Sequence, residues 1–221
     1  MKQLLFLIVG LQSLLNFSQN TVGTTVISTG VYEGYTLFSS HTSSFLIDNC
    51  GQVINRWDSQ YEPGVAVYLL ENGDLLRAGR FDEGENLVII SGSGGIVELF
   101  DWFGNLKWSY IDSSSSSRLH HDIYPMPNGN ILLLSATVLT ADEAIQAGRD
   151  PNLLDSNELY NERIFEVQPV GTDQINVVWE WNIIDHVIQD FDNSKDNFGI
   201  VANNPGKVDI NFLNDGLVDA S

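Results

Sequence analysis

The sequence predicts an all-β chain built from repeated four-stranded units, and three observations predict it. The first is a repeat. Phe45-Leu46-Ile47-Asp48-Asn49-Cys50-Gly51-Gln52-Val53-Ile54-Asn55-Arg56-Trp57 and Glu98-Leu99-Phe100-Asp101-Trp102-Phe103-Gly104-Asn105-Leu106-Lys107-Trp108 both read as an apolar strand, an Asp-x-x-Gly turn and a strand ending in Trp. The second is that another hairpin follows each copy, around Asn72-Gly73 and around Asn128-Gly129. Asn-Gly between apolar runs predicts a tight type I′ turn. The third is the spacing: 53 positions separate Asp48 from Asp101, and 56 separate Asn72 from Asn128. Two hairpins in such a unit give the strand count and length of a β-propeller blade.

Taken in order, Thr24–Ile27 and Tyr35–Phe38 are β-branched or aromatic runs that predict strands. His41, among hydroxyl residues, reads as an exposed loop histidine. A third, weaker copy of the hairpin spans Ile164–Pro169 and Val177–Trp181. Trp57, Trp108 and Trp179 or Trp181 are expected to pack between neighbouring blades. Thr140, with Glu143 three positions on and Gly148 beyond, predicts a short capped helix inserted inside a blade. Asp150–Glu162 reads as a polar loop, and Ser113–Ser117 as a flexible approach to Arg118. Asp190–Asp196 faintly resembles a calcium loop but lacks Gly at its sixth position and a closing Glu, so no metal is assigned. The expected architecture is an incomplete propeller of about three blades spanning residues 20–221. Since propellers have about 4–8 blades, the chain is expected to be a piece of a longer protein or a truncated reading frame, with closure by self-association as a further route.

Residues 1–19 read as a secretory signal peptide: Lys2, an apolar run from Leu4 to Leu15, and a small-residue exit at Ser18. The mature chain is then exported, to the periplasm, the medium or the cell surface, with no membrane insertion after cleavage. Asp and Glu number 29 against 10 Lys and Arg, a net charge of −19. A field of that sign repels nucleic acid and anionic surfaces, so an anionic ligand must be drawn by a local cation. Cys50 is the only cysteine, which excludes an intrachain disulfide and a multi-Cys zinc site. It is expected to fill space in a turn.

Arg118-Leu119-His120-His121-Asp122 concentrates a cation, two imidazoles and a carboxylate just before a hairpin. Adjacent side chains on a strand face opposite ways. One of the two histidines is therefore expected to face a central channel, His121 for preference, with His120 packed or held by Asp122. Arg118 is a candidate anion-binding cation. The competing reading makes both histidines structural and Asp122 a turn residue. His186, after Asp185, reads as a strand-end or loop residue.

His120-His121-Asp122 with Pro127-Asn128-Gly129-Asn130, the Asp101-x-x-Gly104-x-x-x-Trp108 hairpin, Trp179-Glu180-Trp181 and Asp185-His186 to Asp192 together resemble the arylsulfotransferase family. These are exported, nucleotide-independent bacterial aryl sulfate sulfotransferases. The likeness spans roughly residues 30–215. It implies a six-bladed β-propeller with its site in the central channel, no nucleotide cofactor, and sulfuryl transfer from a phenolic sulfate ester to a phenol acceptor through a sulfohistidine. It matches His120 and His121 to the family's first histidine site. The nucleophilic histidine and a later arginine are implied beyond Ser221, so the chain alone is expected to be inactive. The chemistry is compatible: sulfuryl transfer, like phosphoryl transfer, rests on charge placement, and imidazole can serve as nucleophile or proton carrier. The rival reading is a non-catalytic secreted propeller that acts as a binding or adhesion module.

Overall fold

The computed structural model describes residues 23–154 and 158–212. The signal-peptide reading of residues 1–19 lies outside them. The architecture is all-β, with propeller-like blades of consecutive antiparallel strands. The first sheet holds β1 (Tyr35–Ser40), β2 (Ser43–Asp48) and β3 (Val53–Asp58). The second is a four-stranded meander of β4 (Pro63–Leu69), β5 (Leu75–Arg80), β6 (Gly95–Phe100) and β7 (Leu106–Ile111). The third repeats it with β8 (Ser117–Pro125), β9 (Ile131–Thr140), β10 (Glu158–Val170) and β11 (Gln174–Asn182). A helix, α1 (Ala141–Gln146), interrupts the third blade between β9 and β10. A two-stranded parallel sheet, β12 (Val187–Ile188) with β13 (Val208–Asp209), follows.

The repeated turns are built alike. Asp48 Oδ1 accepts from the backbone N–H groups of Cys50 and Gln52, and Asp101 Oδ1 accepts from those of Phe103 and Asn105. Gly51 and Gly104 take φ of 77° and 85°, which only glycine adopts freely. The two Asn-Gly turns differ from the type I′ expectation. Only Gly73 and Gly129 have positive φ, and the loops are one residue longer, closed by Gly73 N–H to Leu70 O and Gly129 N–H to Met126 O. The extra residue lets Asn72 and Asn128 fold their side chains onto the backbone N–H two positions on instead of entering the left-handed region.

Tryptophan joins the blades. Trp57, on β3, donates its indole N–H to Asp101 O in the turn of the second blade (2.8 Å), and Trp108, on β7, donates to Gln174 O in the third (2.9 Å). Both are buried. Trp179 occupies the register position of Trp108, since each pairs just beyond the bulge with Leu99 or its counterpart Glu166, but it is exposed. Trp181 stacks on His186. The main core lies between the second and third blades, around Leu76, Val97, Trp108, Ile123, Leu133 and Phe165.

Several local expectations are corrected. Thr24–Ile27 is not a strand: among the described residues its hydrogen bonds are those of Thr24 to the backbone of Asn49 and Cys50, without a ladder partner. Cys50 is exposed, not space-filling, because the turn carries it outward. Ser113–Ser117 forms a hydrogen-bonded turn, held by the Ser114 hydroxyl and by Ser113 Oγ to Phe81 O. Part of the supposed polar loop is strand, because β10 begins at Glu158 and pairs with β9 as far as Thr140. In Asp190–Asp196, the buried Gln189 amide organises the loop, accepting from Phe191 and Asp192 N–H and donating to Asp192 O.

Candidate active site

The innermost strands of the second and third blades share an irregularity. In β8, three residues (His120, His121 and Asp122) stand opposite one residue of β9, between the pairs Leu119–Ser135 and Ile123–Leu133. In β4, Gly64, Val65 and Ala66 do the same between Pro63–Gly79 and Val67–Arg77. A bulge re-aims side chains and breaks the alternation of a strand. Here His121 takes φ of 54°, and its ring turns back onto that of His120.

The two Nδ1 atoms lie 2.8 Å apart, and His120 Nε2 lies 2.8 Å from Glu162 Oε2 on β10. His120 is buried while His121 is exposed, and Nε2 of His121 has no partner among the described residues. The arrangement is a line from carboxylate to buried imidazole to open imidazole. Glu162, not Asp122, holds His120. Asp122 instead accepts from the Tyr68 hydroxyl (3.1 Å) and from the Ile123 N–H. Burial, reinforced by that carboxylate, pushes the Tyr68 phenol above its usual range.

The segment between β5 and β6 folds over the start of β8. Gly94 N–H donates to Leu119 O and His121 N–H donates to Gly92 O. Gly92 has φ of 64°, and a Cβ there would lie 2.8 Å from the His121 ring, so this position admits no side chain while His121 stays in place. Gly92 also lines an open cleft of about 420 Å³ with Val65, Ile89, Ile90, Arg80 and Arg118.

Arg118 is buried and already engaged. It donates to Phe81 O and Val88 O and pairs with Asp82, which Arg80 also contacts. Burial disfavours the charged form of Asp82, but the hydrogen bonds from Arg118 and Arg80 outweigh it and hold the carboxyl below its ordinary range. Arg118 thus fixes the loop beside the site rather than standing free as a cation. His186 lies apart, exposed at the end of a short 3-10 turn.

Of the residues expected from the sequence, His120 and His121 converge, Asp122 and Arg118 support the frame, and Glu162 is the member that sequence reasoning missed. Its neighbours Glu158-Leu159-Tyr160-Asn161 carry no clean alternation, and the contact spans 42 positions. No family model and no curated protein matches this chain.

Proposed function

We propose that the chain supplies the histidine part of a sulfuryl-transfer site acting between a phenolic sulfate ester and a phenol acceptor. The observation that carries the reading is the open Nε2 of His121 backed by His120 and Glu162. The resemblance of His120-His121-Asp122 and its flanking hairpins to the arylsulfotransferase family supports it, as does the propeller-like fold. In this chemistry an imidazole nitrogen attacks sulfur, the bond from sulfur to the aryl oxygen breaks, and the departing phenolate takes a proton. The acceptor oxygen then attacks sulfur, gives its proton to a base, and the N–S bond breaks. The resemblance matches His121 to a histidine site other than the nucleophile, so His121 is the proton carrier to and from the phenolic oxygens. No nucleotide enters the scheme. Lys2 and the apolar run to Leu15 support an exported setting.

The test is a transfer assay with a chromogenic aryl sulfate donor and several phenol acceptors. It is run on the full chain and on any longer reading frame that contains it, each with a His121→Ala control. Turnover that falls by about 100-fold or more in the control fits a lost proton carrier. Silence of every folded form with all acceptors overturns the enzyme reading in favour of a binding module.

A further inference from the structure

Glu162 belongs to no motif legible in the sequence, yet it ends the line of contacts behind His121. We propose that Glu162 is the positioning residue of this site. Through His120 it fixes the protons so that the Nε2 lone pair of His121 stays open, and its carboxylate balances the charge that reaches His120 when that nitrogen gains a proton.

A carboxylate only accepts, so the 2.8 Å contact puts an N–H on His120 Nε2. Between the two Nδ1 atoms there is room for one proton. With His120 neutral, that proton belongs to His121, whose Nε2 is then bare. When Nε2 of His121 gains a proton, the Nδ1 proton of His121 crosses to Nδ1 of His120. His121 ends neutral and His120 becomes an imidazolium against the Glu162 carboxylate. One proton enters, one crosses and none is lost; donation by His121 reverses the sequence. The logic is that of a carboxylate that orients an imidazole and stabilises its cation, lengthened by one ring. The assignment rests on reading His121 as the proton carrier, but its test does not use sulfuryl transfer.

The full chain is treated with diethyl pyrocarbonate, which acylates unprotonated imidazole nitrogen, and the rate at each histidine is followed by peptide mass spectrometry. His41 and His186, both exposed, serve as internal references. Glu162→Met removes the acceptor, Glu162→Gln keeps an acceptor without charge, and His120→Phe cuts the line. His121 is expected to react about tenfold more slowly in Glu162→Met, the scale of a lost hydrogen bond to a charged group. Glu162→Gln should fall between, His120→Phe should match the Met variant, and the double variant should lose nothing further. Imidazole ¹⁵N shifts should change in step, from a bare Nε2 on His121 to a mixture of tautomers. Unchanged rates and shifts at His121 in folded Glu162→Met overturn the proposal. If that variant does not fold, an unslowed His121 in Glu162→Gln does so. A line that responds as expected in a chain without sulfotransfer leaves the positioning role standing and removes the enzyme reading.

Discussion

At the scale of single residues, the site depends on partners that residue type alone does not reveal. His120 and His121 stand out in the sequence because imidazoles are few. Arg118 stands out as a cation, yet its role is to tie down the loop through Asp82. That tie has a consequence for acid stability. The folded-state pKa of Asp82 lies below its unfolded value of about 3.9, so the folded chain binds fewer protons there. The stabilisation is complete above the unfolded value and is lost as pH falls through the folded one. Urea unfolding at a series of pH values should show the wild type weakening as pH drops from about 5 to about 3, and part of that slope should vanish in Asp82→Asn. Glu162 could not be read in advance because its contact crosses a hairpin whose register becomes visible only once β9 and β10 are paired.

At the scale of elements, the two complete blades share one pairing register, and this exposes an exchange between them. Arg77 pairs with Glu98 across β5 and β6, with side chains 1 % and 4 % exposed. Leu133 and Phe165 hold the same register positions in the third blade and are just as buried. Burial pushes the Arg77 guanidinium down and the Glu98 carboxyl up, although each partner opposes the other's shift. A buried ion pair often breaks even against apolar residues, whereas one orphaned partner costs about 3–5 kcal/mol. Glu98→Phe alone should therefore lower unfolding free energy by about that amount, while Arg77→Leu with Glu98→Phe should recover most of it. Denaturant titration of the three proteins measures this directly. The strands and the capped helix were legible because alternation, Asp-x-x-Gly turns and Thr140 with Glu143 are local signals. The bulges were not, because a residue count between two strands has no mark in either strand alone.

At the scale of the whole molecule, the repeat period revealed the blade plan, and the indole N–H bonds from one blade to the turn of the next show how the blades are joined. The net charge of −19 opposes this compactness through self-repulsion. Raising salt from about 0.01 M to about 0.15 M shortens the Debye length from about 30 to about 8 Å. The thermal midpoint should accordingly rise over that range, and a scan at constant pH would read it; a falling midpoint would mean that attractive pairs dominate. The bulge common to β4 and β8 separates the frame of the candidate site from its side chains. Gly64-Val65-Ala66 makes the same detour with no imidazole in it. The backbone irregularity is therefore common to both complete blades and does not depend on the imidazoles. The second blade thus carries the frame of the candidate site without its polar groups: the two blades differ there by three side chains on the inner strand and by one carboxylate, Glu162, two strands away.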